Sequence, residues 1–557
     1  MNKEIINLFN SGKLENAKQK ALEQLQQNPN DYIAHNILGA ILTKENKFDN
    51  AIIHFKKSVD LKSDYAEGYN NLGTAFQKLN NLKDALANYE KALKYKPKFA
   101  EAYNNFGTGL RLSGKFSEAI NRYSEAIKLE PNYTDAYANL GNTFVELGDF
   151  EKAIYNFEYA LKIDSKYVEA LINLGNTFAK MEKFEQAIDY HKRAIKIDPS
   201  NAEAYSSIGN ILALMEKFEE GISYHRKALK INPQFVEANF NESIILLTLG
   251  KFDTAWKKYE NRFDLVSSPP LKYEKNKIWD GEYLDGTLLV WSEQGIGDHI
   301  LFSSMLNDLK KYAKKIILKT DKRLVNLMKR YFIKTNFTNI EVKDSEEKLK
   351  CKFDKHIAIG SLGQYLRKSN SHFKSTPIKY LIPDPDREKK LKERFANIKK
   401  FKVGICWKTL NKKQKFRNID LDQMLPILSN PNCHFFNLQF GNSNVDLEKF
   451  KLKNSIDIIT IKDIDNYKDI DGNAALINSL DLVITIQNST AHLSGALGKK
   501  TWIMLAKNAR WHWLINANKS IWYPSVHLYR QKISKNWDTV IKDISIELKR
   551  ITNNFSK

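Results

Sequence analysis

The sequence predicts an α + α/β chain: a superhelix of paired helices over residues 1–262, a linker over 263–285, then two α/β lobes over 286–385 and 401–557. Three observations predict it. Glycine recurs every 34 residues, at Gly39, Gly73, Gly107, Gly141, Gly175 and Gly209. Past Arg262 that register stops, and short apolar runs alternate with amphipathic stretches, the pattern of parallel sheets wound by helices. At 557 residues the chain is also too long for a single hydrophobic core.

The repeat can be justified position by position. Twelve residues after each glycine stand Ala51, Ala85, Ala119, Ala153, Ala187 and Gly221, and twenty-four after it fall Pro97, Pro131, Pro199 and Pro233, with Ser63 and Ser165 where proline is missing. Small residues let the two helices of a unit approach closely, and proline ends the second helix because it cannot continue an interior turn. Aromatic positions such as Phe76 and Tyr89, or Phe144 and Phe157, are expected to fill the space between successive pairs. Tyr69, Leu72, Gly73, Phe76, Ala85, Tyr89 and Pro97 match the tetratricopeptide-repeat (TPR) pattern. Such units stack into a superhelix with a concave inner surface, so a protein or peptide partner is expected. Two residues before the glycine register stand Asn71, Asn105, Asn139 and Asn173, then Ser207, then Asn241. An amide both donates and accepts, so a ladder of them can grip an extended backbone without reading its sequence; tolerance of Asn at an exposed position is the plainer account. The ladder resembles the one in the TPR part of O-GlcNAc transferases, which holds protein substrates.

Composition narrows the function classes. The formal charge is +22, yet Lys, Asn and Ile are abundant in every segment and no nucleic-acid-binding motif appears, so no nucleic-acid partner is expected. No stretch has the length of apolar sequence that a membrane span needs. The start Met1-Asn2-Lys3-Glu4 lacks the pattern of a secretory signal. Cys351, Cys406 and Cys433 form neither a disulfide framework nor a metal knuckle, so a cytoplasmic setting and no metal are expected.

In the second half, strands are predicted over Thr287–Trp291, Lys315–Lys319, His356–Ile359, Val403–Trp407, His434–Phe440, Leu482–Ile486 and Thr501–Leu505, with helices over Asp298–Tyr312 and Asn473–Leu480. This alternation predicts two Rossmann-like lobes with a cleft between them. The linker is marked by Ser267-Ser268-Pro269-Pro270. Three motifs sit where such sheets bind ligands. In Trp291-Ser-Glu-Gln-Gly295-Ile-Gly297-Asp298-His299, a strand meets a glycine turn and a helix start. Position 300 is Ile, so the third glycine of a dinucleotide fingerprint is missing; Asp298 also fits an ordinary N-cap. Next, Val403-Gly-Ile-Cys-Trp407-Lys408 feeds a lysine-rich loop to Arg417, which suits capture of a diphosphate without a metal. Lys412, Lys413 and Lys415 read as solvated charges. In the third, strand Leu482–Ile486 ends in Gln487-Asn488-Ser489-Thr490-Ala491-His492, where free backbone N–H groups of a helix start attract phosphate. His492 fits a further donor and a satisfied core residue equally well.

The stretches "LLVWSEQGIGDHILFSSML", "DLVITIQNSTAHLSGALGKKTWIML" and "WYPSVHLYRQ" resemble bacterial TPR–glycosyltransferase fusions. The α/β part is similar to the GT-B fold of heptosyltransferases and, more distantly, of O-GlcNAc transferases. The resemblance implies a metal-independent, inverting transfer from a nucleotide-sugar, with the donor on the C-terminal lobe and no cofactor. It implies Asp298 as general base, Arg417 as the group that steadies the diphosphate, and His492 as the family's helix histidine. Lys408, Asn488, Ser489 and Thr490 complete the expected donor site, with Gly295 and Gly297 as the turn. The family's Asp-Thr-Gly or Asp-Thr-Ser reads Gln487-Asn488-Ser489 here. An alternative of a different class remains: a non-catalytic TPR adaptor carrying a degenerate GT-B-like scaffold.

Overall fold

The computed structural model describes residues 2–266, 270–349 and 352–555, without the side chains of Lys412 and Lys413. Part of the expected linker, Ser267 to Pro269, and Cys351 lie outside the described residues, as do those two lysine side chains. The chain divides into two compact units, Met1–Met215 and Glu216–Lys557.

The first unit is a run of antiparallel helix pairs, for example Ala66–Lys78 with Leu82–Tyr95, and Ala100–Leu112 with Phe116–Leu129. Each pair closes where the glycine column meets an aromatic column sixteen residues on. A Cβ at Gly39, Gly73, Gly107 or Gly141 would come within 2.7 Å of the ring of Phe55, Tyr89, Tyr123 or Phe157 respectively. Because interiors are close-packed, only hydrogen fits there. The sequence expectation had these rings filling the space between successive pairs. Tyr89 does both: it lies over the glycine of its own pair and meets the next pair at Phe106, 6.2 Å between centroids, and beside Gly109. The turn inside each pair carries a left-handed residue in the same register: Gly12, Asn46, Asn80, Gly114, Gly148 and Glu182 all have positive φ. This column was legible in the sequence as a Gly/Asn recurrence and was not singled out; Glu182 breaks it at the cost of local strain.

The second unit opens with three helices that continue the 34-residue register, Phe218–Ile231, Val236–Thr248 and Phe252–Tyr259. Two parallel sheets follow. The first contains β1 (Leu284–Trp291), β2 (Ala313–Thr320), β3 (Ile340–Asp344) and β4 (Lys355–Ala358) in the order β3-β2-β1-β4. The second contains β5 (Phe401–Cys406), β6 (Cys433–Asn437), β7 (Ile458–Ile459), β8 (Leu482–Ile486), β9 (Thr501–Leu505) and β10 (Val526–Arg530) in the order β10-β9-β8-β5-β6-β7. β8 and β9 are buried along their whole length and match their expected ranges, because an all-apolar run has no face to show water. β3, β7 and β10 were not expected: two are mixed in polarity and one is two residues long. The expected helix 298–312 is shorter, Ile296–Ser303, and gives way to a 3₁₀ turn over Leu306–Lys311.

Strand order decides where a site can form. β1 has β2 on one side and β4 on the other, and β5 lies between β8 and β6. Strand succession therefore switches sides at β1 and at β5, leaving a crevice at the carboxyl end of each sheet. Tyr380 and Leu381 donate their backbone N–H groups to the Ala496 carbonyl at 2.9 and 3.2 Å, and Arg330 pairs with Asp471. These bonds hold the two crevices face to face.

The aromatic column of the first unit generates a test. His191 takes the position of Phe157 one repeat later, buried, with both ring nitrogens unpartnered. Burial pushes its pKa down from 6.5 to about 4. The unfolded chain therefore binds the proton first, and stability falls as pH drops below about 6.5. His191→Phe is expected to stabilise the protein by about 1 kcal/mol or more, from relieving stranded polar atoms. The gain should grow between pH 7 and pH 5, as followed by thermal melting across that range.

Candidate functional site

The three motifs converge on one cleft of about 250 Å³ in the second unit. Its wall includes Gly295, Gly297 and Asp298 after β1, Arg417 after β5, and Asn488, Ser489 and His492 after β8. Asp298 thus shares this cleft with Arg417 and with the helix start at Asn488 and Ser489.

Asp298 sits in the first turn of helix Ile296–Ser303, but Gly295 is the N-cap and makes no side-chain cap bond. Its side chain is 15% exposed and pairs with Arg510 at 3.5 Å. Burial raises the carboxyl above its ordinary pKa of 3.8, opposed by Arg510 and the Gly295 backbone N–H. The turn before it is held from behind. Gln294 has a left-handed backbone (φ 66°) and donates from Nε2 to the Tyr259 hydroxyl at 3.0 Å. Glu293 is clamped by buried Arg262, whose Nη2 lies 2.7 Å from its Oε1. Arg262 also reaches Glu260 and the Ser361 hydroxyl. Gly297 has a packing reason: a Cβ there would come 3.0 Å from the His492 ring. No such crowding surrounds Gly295, where a Cβ would meet only the Asp298 carboxylate at 3.8 Å.

On the facing lobe, Arg417 is 6% exposed, and its Nη1 donates to Gln414 Oε1 at 2.7 Å. Its Nε is buried without a partner, and no carboxylate pairs with it among the described residues. Burial, then the nearby charge of Arg510, lowers the guanidinium to about 10, so it stays charged at neutral pH. Asn488 caps helix Ser489–Ala496: its Oδ1 accepts from the Ala491 N–H at 3.2 Å and from Thr485 at 3.1 Å, and its Nδ2 donates to Cys406. That side chain shapes the helix start rather than offering free hydrogen bonds. Ser489 is half-exposed at the mouth and Thr490 is buried behind it. His492 bonds the Tyr523 hydroxyl through Nδ1 at 2.8 Å and stacks on Trp513, with ring centroids 5.2 Å apart. Burial and then Arg510 push it down to about 3, so it is neutral, and the core and donor readings both describe parts of it.

Lys408 departs from expectation. Its ammonium group bonds Asp446 at 2.8 Å in a separate depression beside Asp422 and Lys453. It is absent from the cleft wall because β5 ends at Cys406, and Gln439 pins the backbone N–H groups of Trp407 and Lys408.

The sequence reading missed the segment after β9. Arg510, His512 and Trp513 all line the cleft. His512 is buried with both ring nitrogens unpartnered, and burial followed by His492 and the two arginines holds it well below its usual pKa. Gln487 accepts from the Arg510 backbone N–H at 3.3 Å and leaves Nε2 unpartnered. The run Trp511-His512-Trp513 was a visible oddity, but only pairing of β9 with β8 brings it to the cleft. With both histidines neutral, two arginines face one carboxylate, and the balance favours an anion. Among the described residues no group of three or more His, Cys, Asp or Glu is placed to hold a metal, and no helix is long and apolar enough to cross a membrane.

In the first unit the asparagine column is tied to a second column, one residue ahead of it in the register. Nδ2 of Asn71, Asn105 and Asn139 donates to Oδ1 of Asn36, Asn70 and Asn104 in the preceding repeat, at 3.0, 3.1 and 3.0 Å. Each of these bonds takes one of the two N–H groups of its amide, and the Oδ1 atoms of Asn71, Asn105 and Asn139 take no part in them. At Asn173 the partner position is Ala138, and Nδ2 is left buried and unpartnered. Asn241 lies half-buried on helix Val236–Thr248 of the second unit.

A TPR repeat family model matches residues 39–80, 110–148 and 141–182, and a tetratricopeptide repeat model matches 66–99, 168–201 and 202–235. The N-terminal region carries TPR repeats. Protein FlbA of Caulobacter vibrioides is 28% identical over 314 residues, which cover 53% of this chain and 52% of that protein. The chain thus spans about half the length of the curated relative it matches. Among solved structures, YrrB, described as a TPR protein with an unusual peptide-binding site, is 25% identical over 33% of this chain and 95% of its own, with a TM-score of 0.27. A tetratricopeptide repeat protein from Parabacteroides merdae is 14% identical over 44% and 96%, with a TM-score of 0.38. The APC/C hetero-tetramer Cut9–Hcn1 is 18% identical over 43% and 48%, with a TM-score of 0.39.

A buried cation without a counter-charge destabilises the empty protein and favours any anion that reaches it. Arg417→Met is therefore expected to leave the melting temperature of the ligand-free protein unchanged or raise it. Inorganic pyrophosphate at a hundred times its dissociation constant should stabilise the unsubstituted protein by about 2.7 kcal/mol and the variant hardly at all, as read by scanning calorimetry.

Proposed function

We propose that the α/β part is a glycosyltransferase that moves a sugar from a nucleoside-diphosphate sugar to a hydroxyl of a protein or peptide acceptor, without a metal and with inversion. The observation that carries this reading is Arg417, buried and without a carboxylate partner, in the same cleft as a helix N-terminus and across from Asp298.

In this reaction Asp298 accepts the proton of the acceptor hydroxyl while its oxygen attacks the anomeric carbon. The bond from that carbon to the diphosphate oxygen breaks as the new glycosidic bond forms, and the electron pair leaves with the diphosphate. Negative charge growing there is met by Arg417, Arg510 and the free N–H groups at Ser489 and Thr490. Raised basicity suits Asp298 to this role, since a carboxylate with a higher pKa takes a proton more readily. GT-B-like folding of the two lobes rests on the resemblance stated above and on the two facing crevices. The TPR region supplies the acceptor-protein surface, and the asparagine column, with its carbonyl oxygens outstanding, suits the N–H groups of an extended backbone. Buried, unpaired Cys406 and Cys433 agree with a reducing, cytoplasmic setting.

One observation favours the adaptor alternative: the family's acid is Gln487 here, and its amide is engaged with the Arg510 backbone. On that reading the cleft binds nucleotide without transfer, and the TPR region alone performs the function.

Asp298→Asn separates the two. If the cleft is catalytic, transfer from a panel of nucleotide-sugars falls by about a hundredfold or more, while nucleotide affinity measured by calorimetry stays within about threefold. A panel that supports no transfer by the unsubstituted protein, despite nucleotide binding, would favour the adaptor. A pH profile gives a second test. Asp298 acts only when ionised, so activity rises with pH through its pKa. Arg510 lowers that pKa, and Arg510→Gln is expected to move the acidic limb of the rate profile to higher pH.

A further inference from the structure

A second cavity, of about 380 Å³, opens on the other side of the Asp298–Arg510 pair, within the same compact unit. The larger part of its lining is apolar, with Phe240 and Ile244 from helix Val236–Thr248, Tyr259, Trp291 at the end of β1, and Trp511, and polar side chains complete it. Asp298 and Arg510 belong to both cavities, so whatever fills this one lies beside the carboxylate.

Away from the Asp298–Arg510 rim, several polar side chains of this wall are already engaged. Arg262 donates to Glu293, Glu260 and Ser361. The Gln294 amide nitrogen is bonded to the Tyr259 hydroxyl at 3.0 Å, and the Thr248 hydroxyl donates to the Ile244 carbonyl at 2.7 Å. A glycan placed here would bring several hydroxyls into a space with few free partners. Each hydroxyl buried without a bond costs about 1–3 kcal/mol. An apolar side chain brings no such cost and gains about 25 cal/mol for each Å² removed from water. The volume is within the usual range for small-molecule pockets and is ample for one large side chain.

We infer that this cavity takes an apolar side chain of the acceptor, next to the hydroxyl presented to Asp298, so that the substrate class is a peptide segment with a serine or threonine beside a large apolar residue. This rests on the transferase reading of the neighbouring cleft. The helix that walls the cavity with Phe240 and Ile244 also carries Asn241 of the amide column, so one element presents both a backbone-binding amide and an apolar face.

The test uses the full chain and acetylated, amidated peptides Gly-X-Ser-Gly-Gly, with X as Leu, Phe, Gly, Asp or Lys. Methyl glucoside and lactose serve as glycan probes. Saturation-transfer NMR is expected to show transfer to the X side chain for Leu and Phe, with affinity at least about tenfold above X = Gly, and none to the sugars. Ile244→Trp fills the cavity from a half-buried position and should remove the Leu and Phe signals. An unchanged far-ultraviolet spectrum and melting temperature would show that it folds, and Ile244→Gln offers a second variant of lower bulk. Sugar binding that Ile244→Trp abolishes, equal binding of all five peptides, or no binding of any probe would each overturn the inference. Nucleoside diphosphates (UDP, ADP and GDP) are titrated in parallel. Their failure to bind would sink the transferase reading, whereas selective peptide binding lost in Ile244→Trp would still stand.

Discussion

Arg417 sets the terms for the rest of the second unit. A guanidinium taken out of water without a carboxylate is costly, and in real proteins such a group is normally paired or hydrogen-bonded throughout. Here its one side-chain bond is to a neutral amide, Gln414, and a second cation, Arg510, stands close enough to depress its pKa. Folding tolerates this because β5, β8 and β9 are apolar strands whose burial is independent of the cleft. The sheet supplies the stability, and the cleft spends part of it on an electropositive lining.

Several of the buried side-chain polar atoms left without a partner line this cleft, while others, such as those of His191, lie elsewhere among the described residues. Gln487 Nε2, the Arg417 Nε and both nitrogens of His512 belong to residues of one cleft wall. A core under selection for packing alone would bond or replace them. Asp298 is the complement: its one ionic partner, Arg510, is 41% exposed and 3.5 Å away, so the pair is held loosely in water's reach. Behind it, the opposite principle applies. Arg262, Glu293 and Ser361 are buried and joined by half-exposed Glu260 in a network in which the Arg262 and Glu293 charges meet directly. A rigid turn bearing one adaptable carboxylate is the arrangement expected of a site that must position a group without immobilising its proton.

The first unit solves a different problem. Each helix pair closes by a ring over a glycine, and neighbouring pairs are cross-linked by amides as well as by apolar contact. The consequence is a column of asparagines whose orientation is fixed by one N–H of each amide. The second N–H and the carbonyl oxygen of each amide are the groups left to meet a partner backbone.

Periodicity made the repeat region legible from the sequence alone, because each unit meets nearly the same neighbours and so repeats the same small, aromatic and turn residues. Even there, which surfaces the rings fill and which amide atoms remain outstanding depended on contacts between residues 16 or 35 positions apart. In the α/β part, the buried strands β8 and β9 and the motifs at Asp298, Arg417 and Ser489 were visible, since an all-apolar run followed by glycine or hydroxyl residues is a local signal. Lys408 was not: its direction is set by Gln439 and Asp446, more than thirty residues away. Arg510 and His512 carried no local mark of function either. Only strand order brings the segment after β9 to the mouth of the cleft, where Arg510 meets Asp298 and burial leaves both His512 ring nitrogens without a partner.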